Sequence, residues 1–156
     1  MNISLESARQ IGRERMQYAL ARFDATFAAV PEDRAAWKPA PSAKSALDIA
    51  GHCTGSNRAI ARVLRGEADG GEPGGLVFTS LTEARNAVRS SAEEVIAALE
   101  RVDEARFSTS PTTPFGPMAM VEWMVFSGPH LAEHAGQIDY LQTLWGDEED
   151  HFPDGA

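Results

Sequence analysis

An all-α four-helix bundle with long connections is the fold the sequence predicts, and three observations predict it. Apolar residues recur at helical three- and four-residue steps in four separate stretches. Serine-led capping signals stand at the head of two of them, and segments rich in Pro, Gly, Ser or Thr divide one stretch from the next. No stretch alternates apolar and polar residues as a half-buried strand does.

Met16, Leu20, Phe23, Phe27 and Val30 line one face of the first stretch, which predicts a helix from about Ser4 to Val30, stopped by Pro31. Residues 31–42 hold three prolines and are too proline-rich for regular structure. A second helix begins near Ser45, whose side chain can cap free N–H groups. Its inward stripe is Ile49, Cys53, Ile60 and Leu64, with His52 on the shoulder beside Ser56, Ala59 and Val63.

Gly66 to Gly75 reads as a flexible connection. It lacks a Gly-Lys-Ser/Thr ending and follows a helix, so it is not a phosphate loop. Ser80-Leu-Thr-Glu83 is a capping box for a third helix, whose stripe is Leu81, Ala84, Val88, Val95, Leu99 and Val102. Residues 104–117 should be irregular, and the last helix runs from about Met118 to Trp145. The chain reads as a single domain over residues 1–156, with an ordered core at about 4–146 and an acidic tail at 147–156.

At 156 residues the chain can bury roughly two thirds or more of its unfolded surface, enough for a true core. A formal net charge of -9 with no basic block argues against a nucleic-acid partner. Cys53 is the only cysteine, so no internal disulfide forms, which suits a reducing compartment. Residues 1–10 lack the apolar core of a signal peptide, and no apolar run reaches the ~20 residues of a membrane helix. The expectation is a cytoplasmic protein with no membrane partner.

The chemistry is concentrated in histidines. His130 and His134 are four apart, about 40° from each other on the face that also carries Trp123, Leu141 and Trp145. Two imidazoles on an inward stripe would each leave a ring nitrogen unpaired at roughly 1–3 kcal/mol. A divalent ion shared with His52 removes that cost. Core histidines satisfied by Ser, Thr or backbone groups fit the same spacing. Leu131 stands where a zinc protease motif has Glu, so the pair does not mark a metalloprotease. Three histidines with an open position are the catalytic arrangement of Zn²⁺, Ni²⁺ or Fe²⁺; such an ion can activate water, polarise an oxygen or hold a thiolate.

Further residues make the sequence familiar. Trp37-Lys-Pro-Ala-Pro precedes Ser45-Ala-Leu-Asp-Ile-Ala-Gly-His52; His130-Leu-Ala-Glu-His134-Ala-Gly-Gln-Ile138 follows, and Tyr140-Leu-Gln-Thr-Leu-Trp-Gly-Asp147 ends the helix. The chain resembles the DinB-like family of metal-binding four-helix bundles, over nearly its whole length. The resemblance implies one divalent metal ion (zinc, nickel or iron) on His52, His130 and His134. It implies a small-molecule substrate and a homodimer. It also implies thiol-dependent S-transferase chemistry with a low-molecular-weight thiol such as bacillithiol or mycothiol. A metal-dependent hydrolase and a non-catalytic metal-binding scaffold are the alternatives. Pro129 departs from the pattern, since a kink there could turn His130 away from His52.

Other residues are weighed against plainer roles. Gln137, one turn past His134, is the candidate catalytic neighbour, able to hydrogen-bond a ligand of the ion or to pack as a core amide. Asp48 could orient His52, although a solvated carboxylate at a helix start is the simpler role. Glu133 reads as a flank residue and Cys53 as a small core residue. His151 should be exposed in the tail, and Trp123 and Trp145 are core aromatics before they are pocket walls. Gly51, Gly55, Gly128 and Gly136 either permit close helix approach or leave room for a ligand.

Overall fold

A computed structural model describes residues 3–67, 75–113 and 116–153. Four long helices carry the fold: α1 (Leu5–Ala28), α2 (Ala46–Arg65), α3 (Leu81–Arg101) and α5 (Met120–Leu144). A 3-10 turn (Glu32–Arg34) follows α1, and a single turn, α4 (Glu104–Phe107), follows α3. A two-residue ladder pairs β1 (Thr112–Thr113) with β2 (Gly116–Pro117), antiparallel. These last two elements stand where the sequence predicts irregular chain. Two residues per strand are too few to show alternation.

The helix starts follow their caps. Ser45 Oγ accepts from the Asp48 N–H at 3.2 Å while Asp48 accepts from the Ser45 N–H at 2.9 Å, a complete capping box. Asp48 also pairs with Lys38 at 2.6 Å, so it serves the helix start and not His52. Ser80 accepts from the Glu83 N–H at 3.1 Å; among the described contacts Glu83 does not return the bond, and only half of the expected box forms. At the end of α2, Gly66 takes φ +76°, a left-handed conformation that closes the helix.

The four long helices form a ring: α1 packs chiefly on α5 and α2 chiefly on α3, with α2 against α5 and α1 against α3 closing it. Every predicted stripe faces the centre. Met16, Phe23 and Phe27 of α1 meet Ile49, Cys53 and Leu64 of α2, Val88, Val95 and Leu99 of α3, and Met124, Leu131 and Ile138 of α5 in one continuous core. Each large apolar side chain taken from water contributes about 1.5–3 kcal/mol. Gly12 and Gly128 set the α1–α5 spacing: a Cβ on Gly12 would meet the Met124 carbonyl, and one on Gly128 would lie 2.6 Å from the Arg15 carbonyl carbon.

The described part of the tail, residues 147–153, folds back onto α1. The Arg22 guanidinium donates to the His151 carbonyl at 2.7 Å, pairs with Asp139, and lies 4.2 Å over the Phe152 ring. His151 Nε2 sits 2.8 Å from Asp147 Oδ2, so the exposure expected of this histidine is not found. Most of the 66–75 connection lies outside the described residues. Among those described, no helix is long and apolar enough to cross a membrane.

Candidate metal centre

α2 and α5 bring three imidazoles together. His52 projects from the middle of α2, two turns past its capped start, while His130 and His134 project from successive turns of α5. Pro129 lies inside α5 and faces outward, and the helix runs on through it. The feared rotation of His130 does not occur. Close packing of Gly128 on Arg15 holds this turn against α1 whatever bond the proline removes.

The His130 Nε2 atom lies 3.3 Å from His52 Nε2 and 3.2 Å from His134 Nε2. The candidate ligand atoms of the three histidines all lie within 4.8 Å of one another. Two nitrogens bound at ~2.0–2.1 Å to a tetrahedral ion are roughly 3.3–3.4 Å apart. The two measured edges therefore suit a shared ion. Hydrogen bonding alone serves the cluster poorly. His134 Nδ1 donates to Gln137 Oε1 at 2.9 Å, which leaves its Nε2 with a lone pair facing inward. His130 Nε2 has at most one proton for two facing nitrogens, and its Nδ1 is buried without a partner.

The electrostatics favour the neutral ring at His52 and His130, the form that binds metal. Burial pushes His52 below the ordinary histidine range, with His134 and then Lys44 adding to it. Burial, followed by His134, His52 and Lys44, pushes His130 down from 6.5 to about 4. Between those two values the unfolded chain binds more protons at His130 than the folded one, so stability falls as pH drops. Chelator-treated protein should lose thermal stability steadily from near pH 6.5 to about 4, with no further loss from this group below that. A melting series across that range checks it: a flat profile would show that His130 is protonated as easily folded as unfolded.

Cys53, next to His52, points into the core instead. It is fully buried, and burial pushes its thiol up to about 12, so it is neither a ligand nor a nucleophile at neutral pH. Glu133 is exposed beside the pair. Trp123 is core, and Trp145 is half-buried edge-on to Trp37 at 5.9 Å. Gly51 makes a close approach: a Cβ there would strike the Leu76 carbonyl, and the Leu76 N–H donates to the Gly51 carbonyl at 3.3 Å. Gly136 faces open space.

Two residues near the site escape sequence reasoning. Phe126 lies 5.5 Å from His130, ring to ring, and is 43% exposed, an apolar wall on the solvent side. Its four-residue spacing from His130 was the available signal. Lys44, in the loop before α2, adds to the lowering at His52 and His130, and no spacing pattern points to it.

Comparison with known proteins agrees with the four-helix fold. The solved structure of a DinB-like protein from Bacillus subtilis superposes with a TM-score of 0.70 at 19% identity, covering 92% of this chain and 96% of that one. The mycothiol-dependent maleylpyruvate isomerase superposes with a TM-score of 0.66 at 13% identity, covering 87% of this chain; this chain spans only 61% of that enzyme. A histidine-to-alanine variant of the isomerase matches similarly, with a TM-score of 0.65 at 12% identity, covering 87% of this chain and 61% of that one. No curated protein matches the chain. The profile of the DinB superfamily matches residues 15–138, most of the chain, and this chain belongs to that superfamily.

Proposed function

We propose that the protein is a divalent-metal-dependent enzyme whose ion is held by His52, His130 and His134, with thiol-dependent S-transferase-type chemistry. The observation that carries the first half is the convergence of three Nε2 atoms at 3.2 and 3.3 Å edges, with no carboxylate or thiolate in the group. Three neutral ligands leave the ion's charge uncompensated and a position open. When bound, such an ion supplies Lewis acidity, which favours the anionic form of an oxygen or sulfur ligand.

What the chain itself does can be followed residue by residue. Gln137 fixes the tautomer of His134, so that Nε2 presents its lone pair inward. Burial keeps His130 unprotonated. Phe126 shields one side of the His130 ring from solvent. No side chain in the group is placed as a general base, which favours delivery of a thiolate over hydrolysis, since a thiolate attacks without one. The relation to a mycothiol-dependent isomerase supports a low-molecular-weight thiol as co-substrate. A homodimer belongs to the same proposal, and light scattering reads it.

Gln137 is the sensitive point. Replacing Gln137 with Leu removes the acceptor for His134 Nδ1 and should weaken metal affinity about 10–100-fold while the fold persists. Competition against a calibrated zinc chelator measures this, and unchanged affinity would remove Gln137 from the site. Assay of the metal-loaded protein with mycothiol or bacillithiol and an electrophilic acceptor tests the chemistry. Thiol consumption lost with the metal supports transfer, and turnover of an ester without thiol would favour hydrolysis.

A further inference from the structure

A groove of about 600 Å³ lies between the segment carrying Pro39 to Lys44 and α5, and Gln137, the hydrogen-bond partner of His134, lines it. Its depth is apolar, formed by Ile49 and Leu141, which are 2% and 4% exposed. Its polar side chains are Ser42, Lys44, Glu133, Gln137 and Tyr140.

Lys44 is unusual in this chain. The sequence holds only two lysines, and the other, Lys38, is committed to Asp48 at 2.6 Å. Among the described residues Lys44 has no ion-pair partner, although the chain is strongly acidic. Gln137 gives its oxygen to His134 and keeps its amide hydrogens for the groove. The Tyr140 hydroxyl adds a further donor on an exposed ring. With the Ser42 hydroxyl, four donors, one of them a cation, thus line a cleft with an apolar floor. One carboxylate, Glu133, offsets the lysine and disfavours a dianion.

We infer that this groove binds a small carboxylic acid with an apolar body, its carboxylate on Lys44 and the Gln137 amide and its body over Ile49 and Leu141. The proposed metal function bears only on what the acid is for, namely the acceptor substrate held on Gln137, which is hydrogen-bonded to the proposed ligand His134. Binding of the acid itself does not need the ion.

The test is an amide-shift NMR titration of the full chain with 4-phenylbutyrate and with its uncharged amide, on metal-loaded and on chelator-treated protein. Saturable shifts clustered at Lys44, Gly136, Gln137 and Tyr140 are expected, with the acid at least about fivefold tighter than the amide, as a partly exposed charge-assisted bond provides. Lys44→Gln should abolish that preference. Lys38→Gln removes the same charge outside the groove and should keep it. Equal binding of acid and amide overturns the inference. So does equal weakening by the two lysine variants, absence of saturable shifts at millimolar acid, or acid binding that requires metal and ignores Lys44. Metal content measured on the same samples keeps the two proposals apart. Acid binding without metal uptake would sink the metal site alone, and metal uptake without acid binding would sink the groove alone.

Discussion

Replacing His134 with Ala is expected to abolish stoichiometric binding of a divalent ion. Its Nε2 is one of three converging nitrogens, its Nδ1 is already held by Gln137, and no carboxylate or thiol in the group can take its place. The loss should exceed the ~10–100-fold that follows from removing a supporting hydrogen bond. His134 is 7% exposed, so the variant also leaves a void. His52→Ala, at a half-buried position, separates loss of metal from loss of fold. Cys53→Ser should bind metal like the parent, because the thiol points into the core. Equilibrium dialysis with zinc checks all three variants. Loss of metal from the cysteine variant, or its retention by both histidine variants, would refute the ligand set.

The second large effect is on stability. Gly128→Ala places a methyl group 2.6 Å from the Arg15 carbonyl carbon and 2.8 Å from its oxygen. The obstacle is backbone, so no rotamer change relieves it, and α1 and α5 must separate along the seam that Gly12 also occupies. The expected cost is about 3 kcal/mol or more, at the upper end of overpacking effects. Urea unfolding measures it as a lower midpoint at similar slope. Gly136→Ala, facing open space in the same helix, should be neutral or slightly stabilising. Equal midpoints for the two variants would show that the helices tolerate wider spacing.

Much of this was legible before the fold was known. The stripes through Phe23 and Phe27, through Ile49 and Leu64 and through Val88 and Leu99 all bury as helical spacing requires. Ser45 caps α2 with Asp48 as its partner, which displaces the alternative role of Asp48 beside His52. His130 and His134 share a face because four residues make about one turn. Their meeting with His52 depends on packing between helices far apart in sequence, and no local pattern encodes it.

The parts that sequence left open share that cause. Pro129 threatened the site, but its effect depends on how Gly128 seats against α1. Lys44 and Gln137 line one groove built from two distant segments. The tail returns because Arg22, on the first helix, finds the His151 carbonyl and the Phe152 ring near the end of the chain. Its acidic composition suggested only solvation. Each case turns on a long-range partner that contributes no periodic signal of its own.

The central claim, that the three histidines hold an ion, is tested most directly by elemental analysis of untagged protein purified without chelators. The account predicts close to one equivalent of zinc, nickel or iron per chain. Protein that arrives metal-free and takes up none on addition would contradict it, leaving a structural bundle with three core histidines.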